Sequence, residues 1–319
     1  MAPDVTRRVA RIARSQAGAI SRGQALAAGV AVSTITRLVQ QHVWIVIHRG
    51  VYAVASSADT WRRRVFAALL AAGDSAVLAG TAAAYEWELI DRPPAVIDVA
   101  VPERSRARPR AVRIRCLSFD RDDTTHRGGI PIMTVARTLV DLAATFDDVA
   151  LEDVTVDAVR RWPRTLGRLS ACLDRLPNAR GSSRLRRFTR LLDPEVVREL
   201  MSKFESRVLA MFLRSDIPTP RVNRMLFDPT GGLVAKLEFS WVGGRVVMEC
   251  DGLRFHTTPS QKSYDDRRQN GLVLEGRVVL RYGWRDLDDP GRVVADVRRA
   301  LDLASVLARA VGAREAEAT

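Results

Sequence analysis

The chain has 319 residues, too many for one small core, so two or three domains are expected. A hydrophobic content of 47% excludes a largely disordered polypeptide, and a formal charge of +13 favours polyanionic partners, of which nucleic acid is the commonest. Arginine carries the surplus, because lysine occurs only at Lys203, Lys236 and Lys262; a coding bias toward arginine would give the same composition with no partner at all. Cys116, Cys172 and Cys250 are widely spaced and lack CxxC pairing, which excludes a disulfide framework and a zinc site and fits a reducing compartment. No apolar run approaches the roughly 18 residues of a membrane span, and no signal-peptide core is visible. A cytoplasmic protein with no membrane partner is expected.

In chain order, residues 5–16 place Val5, Val9 and Ile12 at helical spacing among Arg7, Arg8, Arg11 and Arg14. Ile20 to Leu26 reads as a short helix stopped at Gly29, and Ser33-Thr34 as the cap of a third helix through Ile35, Leu38 and Val39. WIVIHRGVYAV then reads as a hairpin turning at His48-Arg49-Gly50. Three short helices and a hairpin make a winged helix-turn-helix over 1–56, whose third helix would enter a major groove while the hairpin touches the backbone. Arg37, Gln40 and Gln41 are the long polar side chains of that helix, and Arg37 and Arg49 are the candidate DNA contacts. A wing can equally serve a protein partner.

An α+β middle domain with a helical linker is expected over 57–194. Its helices are Trp61–Ala72, Thr81–Trp87 and Thr134–Ala143, and its strands Val96–Val101 and Val112–Cys116. Arg104, Arg106, Arg108, Arg110, Arg113 and Arg115 form a basic run that reads either as a phosphate-tracking loop or as a solvated one. Residues 164–192 read as helical with a second basic cluster, Arg184, Arg186, Arg187 and Arg190, ahead of a boundary at Asp193-Pro194.

The third domain, 195–319, runs as a long helix over about 196–214, strands at about 221–227, 234–241 and 244–251, a helix within about 259–275, a strand at 278–284 and a closing helix from Val293. Glu249 and Asp251 share a strand face at the end of an apolar run, and alternation puts Lys236 with Glu238 on the preceding strand. The tight Val242-Gly243-Gly244 connection implies antiparallel pairing, which would bring the three carboxylates together. Acids ending a buried strand are costly unless a cation answers them, and hard oxygen ligands of this kind suit Mg²⁺ or Mn²⁺.

Two resemblances sharpen these readings. AISRGQALAAGVAVSTITRLV followed by HRGVYAV, within residues 8–54, looks like the N-terminal domain of AbiEi-type antitoxins from type IV toxin–antitoxin systems. That likeness implies an autoregulating DNA-binding module and a cognate toxin as a protein partner. Residues 202–303 resemble the very-short-patch-repair-like branch of the PD-(D/E)XK nuclease superfamily. The likeness rests on Glu205-Ser206-Arg207, AKLEFSW, VVMECDGLRFH, the run from Asp265 to Asn270 and VVLRYGWRDL, and it implies an α/β nuclease fold. Carried over residue by residue, it implies Glu238, Glu249 and Asp251 as metal ligands supported by Glu205. His256 or Lys236 would assist proton transfer, and Arg254, Asp265, Arg267 and Arg268 would hold DNA. Glu238 stands where the superfamily usually has Asp, and Asp251 where it has Lys.

The expectation is therefore a multidomain DNA-binding protein of mixed α/β and α+β class carrying a Mg²⁺- or Mn²⁺-dependent endonuclease domain. The alternatives are an antitoxin-type transcriptional regulator with a degenerate nuclease fold and an adaptor whose wing holds a toxin.

Overall fold

A computed structural model describes residues 2–227, 230–251 and 269–317 of the chain, with side chains as far as Arg309. The chain folds as two compact units, one of residues 1–146 with 167–185, the other of 147–166 with 186–319. Each helix and strand expected up to Ala143 is present to within a residue or two, with further short strands between them. No described helix is long and apolar enough to cross a membrane.

The first unit begins with α1 (Pro3–Ser15), β1 (Ala19–Ser21), α2 (Arg22–Ala27) and α3 (Val32–Gln40), followed by β2 (Trp44–His48) and β3 (Val51–Val54). The strands pair antiparallel in the order β1-β3-β2, and Val9, Ile20, Ala25, Ile35 and Trp44 fill the space beneath the three helices. Ile20 lies in a strand. Ser21 caps α2 through a reciprocal capping box with Gln24, and Gly29, with φ of +96°, ends the turn that follows. The Ser33-Thr34 cap does not form: α3 starts at Val32 on an uncapped Ala31, which leaves Ser33 on the exposed helix surface.

The hairpin leads into α4 (Trp61–Ala72), capped by the Thr60 hydroxyl. A five-stranded mixed sheet follows in the order β6-β5-β4-β8-β7. Its central strands are β4 (Val77–Leu78) and β5 (Ile97–Val101), flanked by β6 (Val112–Cys116), β7 (Thr124–Arg127) and β8 (Ile130–Met133), with α5 (Gly80–Glu86) and α6 (Val135–Leu142) completing the layer. β4, β7 and β8 escape a sequence reading because none exceeds four residues. Ala19 and Val51 of the wing share one core with Val65, Phe66 and Leu69 of α4 and with Leu78, Val99 and Ile132 of the sheet. The wing is thus seated on α4.

Arginines in this unit act as internal struts. The Arg113 guanidinium donates in a bidentate pair to the buried Asp98. Arg184 donates to the carbonyl oxygens of Ala143 and Phe146 just past α6, so one member of the second basic cluster closes a helix end. Arg137, 4% exposed, bridges Asp123 at 3.0 Å and Asp141 at 3.3 Å, while Arg175 reaches Asp123 at 2.6 Å.

The second unit contains α7 (Asp148–Arg161), α10 (Pro194–Arg198) and α11 (Lys203–Leu213), with α8 (Thr165–Arg175) and α9 (Ser182–Thr189) lying in sequence between the first two. Its sheet comprises β9 (Arg221–Phe227), β10 (Leu233–Trp241), β11 (Val246–Asp251) and β12 (Val278–Gly283) in the order β12-β11-β10-β9. β9, β10 and β11 meander antiparallel, and β12 returns parallel to β11. A terminal helix, Pro290–Glu317, packs Val293, Val297, Ala300 and Ala304 into a core with Phe212, Phe239, Trp241 and Met248. The long helix expected over 196–214 is broken, because Ser202 starts a new N-cap and α11 runs only from Lys203 to Leu213.

The Arg137 strut yields a stability prediction. Arg137→Ala takes the guanidinium from the buried Asp141 and leaves Asp123 to Arg175 alone, a loss on the order of 3–5 kcal/mol. Urea melts should show a midpoint lowered by that loss divided by the slope, with the slope itself unchanged.

Candidate nucleic-acid interface and acidic fork

On α3, Ile35 faces the core, while Ser33, Thr36, Arg37 and Gln40 are exposed. Their spacing of i, i+3, i+4 and i+7 places them on one face of the helix. Arg49, at the tip of the β2–β3 hairpin, is exposed as well. Between Val5 and Ala58 the chain has seven arginines, at positions 7, 8, 11, 14, 22, 37 and 49, and no acid; all seven are exposed. The head therefore presents a positive surface with a polar helix face at its front, the electrostatic footprint of a phosphate-contacting module.

The acids of the second unit sit where β10 and β11 part. The ladder between them runs Trp241↔Val246, Ser240↔Val247 and Phe239↔Met248. One residue further on, the Cys250 N–H donates to Glu238 Oε2 at 2.6 Å, so a side-chain carboxylate receives a strand donor. The β9 partner is distorted at the same point: Leu237↔Arg224 and Phe239↔Val222 pair, and between them Asn223 adopts φ of +50°. The strand also changes face there. Phe239 and Trp241 pack with Met248, whereas Leu237 and Ala235 pack with Val247 on the other side of the sheet. Alternation therefore does not carry across Glu238, and the shared face expected of Lys236 and Glu238 does not follow from the strand.

Glu205, 5% exposed, belongs to the cap of α11. Its Oε1 accepts from Ser202 Oγ at 2.9 Å, and its Oε2 accepts from the Met201 N–H at 2.9 Å and from Asn223 Nδ2 at 2.8 Å. Three donors satisfy this carboxylate without a cation. Glu249 is equally buried and pairs in register with Arg281 of β12. Arg281 grips Asp251 in a bidentate pair, Nη2 to Oδ1 at 2.5 Å and Nε to Oδ2 at 3.1 Å, and donates through Nη1 to Gln269 Oε1 at 2.9 Å. A cation does answer the strand-end acid, and it is a guanidinium from the neighbouring strand. The sequence signal for it is a lone arginine in the apolar run VVLRYG.

Glu205, Glu238, Glu249 and Asp251 are hard oxygen donors, but among the described residues no three acidic, histidine or cysteine side chains converge as a metal site would require. Glu205 is engaged in a cap, Glu238 on a backbone amide and Asp251 on Arg281, so a divalent cation held between Glu238, Glu249 and Asp251 would have to displace a backbone amide and a guanidinium. His256, Arg254, Asp265, Arg267 and Arg268 lie outside the described residues.

Comparison with known proteins bears on the head. Residues 7–55 match a family described as transcriptional regulator, AbiEi antitoxin. That match runs from within α1 to just past the end of β3. No curated protein matches the chain.

Cys250 tests the fork. Burial, then the charges of Glu238 and Glu205, push its thiol far above the ordinary range; burial and Asp123 push Cys172 up to about 11. The thiolate is the reactive form. At pH 8 iodoacetamide should therefore add once to the folded protein, at the exposed Cys116, and three times after denaturation, as read by intact mass.

Proposed function

We propose that this chain is a DNA-binding transcriptional regulator of the AbiEi antitoxin kind, with α3 in the major groove and the β2–β3 wing on the backbone. The observation that carries the reading is the exposed Ser33, Thr36, Arg37 and Gln40 stripe on the helix where the antitoxin match falls. Arg37 and Gln40 suit bidentate contacts to guanine and adenine edges, Ser33 and Thr36 suit shorter contacts, and Arg49 suits a phosphate. A cognate toxin is the protein partner this reading implies.

Point variants test it better than truncation, because cutting the chain at residue 55 would strip Ala19 and Val51 from the core they share with α4. The wild-type chain should protect a discrete site near its own promoter. Arg37→Ala should weaken that protection by about 1–3 kcal/mol and relax the base preference at one position. Arg49→Ala should weaken all sequences alike. Binding that stays indiscriminate at physiological salt, without a footprint, rejects the reading.

A second reading, a Mg²⁺- or Mn²⁺-dependent DNA endonuclease, is favoured by the order of α11 and β9–β12 and by the acids at their fork. It assigns Glu238, Glu249 and Asp251 to the metal, Glu205 to its support, Lys236 or His256 to proton transfer, and Arg254, Asp265, Arg267 and Arg268 to the DNA. It requires Asp251 to leave Arg281. Supercoiled plasmid incubated with either metal should then be nicked by the wild type and left intact by the Glu249→Ala/Asp251→Ala double variant. Intact plasmid in both lanes supports a purely regulatory role.

A further inference from the structure

The strand-end acids of the second unit call for a cation, and the chain supplies Arg281. Its position is fixed from three directions. β12 pairs parallel with β11, so Arg281 lies beside Glu249; its fork closes on the two oxygens of Asp251; and Gln269, in the helical segment 269–274, holds the remaining edge. The pair stands at the surface, with the Asp251 side chain 51% exposed and that of Arg281 29% exposed.

A guanidinium fork matches a phosphodiester as well as it matches a carboxylate, since both offer two oxygens in one plane at similar spacing. We propose that Arg281 is a phosphodiester-binding residue of the second unit, and that Asp251 is an internal mimic of the phosphate which occupies the fork until the DNA backbone displaces it. The exchange is inexpensive. A solvent-exposed ion pair contributes little, so a phosphate that also meets the chain's overall positive field can compete for the fork. Gln269 stays in place during the exchange and keeps the guanidinium plane aimed. Asp251 then has a role that a lysine at this position could not fill: it neutralises Arg281 and lowers nonspecific affinity, which is useful in a protein whose first unit reads sequence. The inference depends on DNA being the partner, but not on which residues of the head contact it.

The experiment uses the full chain carrying Arg37→Ala and Arg49→Ala, so that the head contributes little, and a fluorescent duplex of about 20 base pairs and unrelated sequence, long enough for several phosphate contacts. Anisotropy titrations across a salt series give affinity and salt slope. In that background Asp251→Asn should tighten binding about two- to fivefold, the range an exposed ion pair is worth. Arg281→Gln should weaken binding and reduce the salt slope by about 0.9, the value of one phosphate contact. Combining the two should reproduce Arg281→Gln alone, because the aspartate acts only through the arginine. Arg281→Lys keeps the charge without the fork, so it should keep the slope and lose affinity; it serves in place of the glutamine variant if the latter fails to fold. Weaker or unchanged binding with Asp251→Asn, or an unchanged slope with Arg281→Gln, overturns the proposal and leaves the pair as a strand clamp. Failure of the regulator reading appears elsewhere, as a missing footprint with the unmodified head.

Discussion

One hydrogen bond sets the form of the second unit's sheet: the Cys250 N–H given to the Glu238 carboxylate. A strand amide inside a sheet must be satisfied, and a carboxylate in that place makes a charge-assisted bond while ending the ladder. What surrounds it follows from that break. β10 changes face at Glu238, so its two halves bury their apolar residues on opposite sides of the sheet, Phe239 and Trp241 on one and Ala235 and Leu237 on the other. β9 must follow, and it does so at Asn223, a residue type that tolerates φ of +50° better than most. The Asn223 side chain then reaches Glu205 and ties the start of α11 to the break.

Both units answer strand and loop acids with arginine, the buried ones in the first unit and an exposed one in the second. Asp98 is held by Arg113, Asp123 by Arg137 and Arg175, and the strand-end Asp251 by Arg281. Arginine suits this work because its planar fork engages both carboxylate oxygens and keeps its charge when partly buried. The positive surplus of the chain is therefore of two kinds. Some arginines are consumed internally, as struts and helix closures, and they say nothing about partners. In the head, Arg7 pairs with Asp4 and Arg8 donates to the Ala28 carbonyl oxygen, so Arg11, Arg14, Arg22, Arg37 and Arg49, all exposed, carry the argument for a polyanion.

Much of the fold was legible because its signals are local. Apolar spacing, Gly29 and the His48-Arg49-Gly50 turn predict the winged helix, and β9 to β12 were legible as apolar runs bounded by turns. What was not legible depends on contacts distant in sequence. β4 has two residues and exists through its neighbours β5 and β8. The break near Ser202 is invisible to periodicity because residues 196–214 stay apolar at helical spacing, and the competing cap at Ser202 wins. At the fork, alternation correctly places Glu249 and Asp251 together but fails at Glu238, where the strand turns over. The partner of Asp251 was not legible either, because only the parallel return of β12 brings Arg281 alongside.

The seating of the wing on α4 limits how the head can work. β1 and β3 lend Ala19 and Val51 to the core that α4 shares with the middle sheet, so any partner docked on α3 would meet a helix whose strands are fastened to that sheet. Such a head gains affinity from preorganisation, since little conformational freedom remains to be lost on binding. It gives up the independence of a domain on a flexible tether. The head and the middle sheet therefore share one apolar core, which runs through α4, beyond the residue 55 at which the antitoxin match stops.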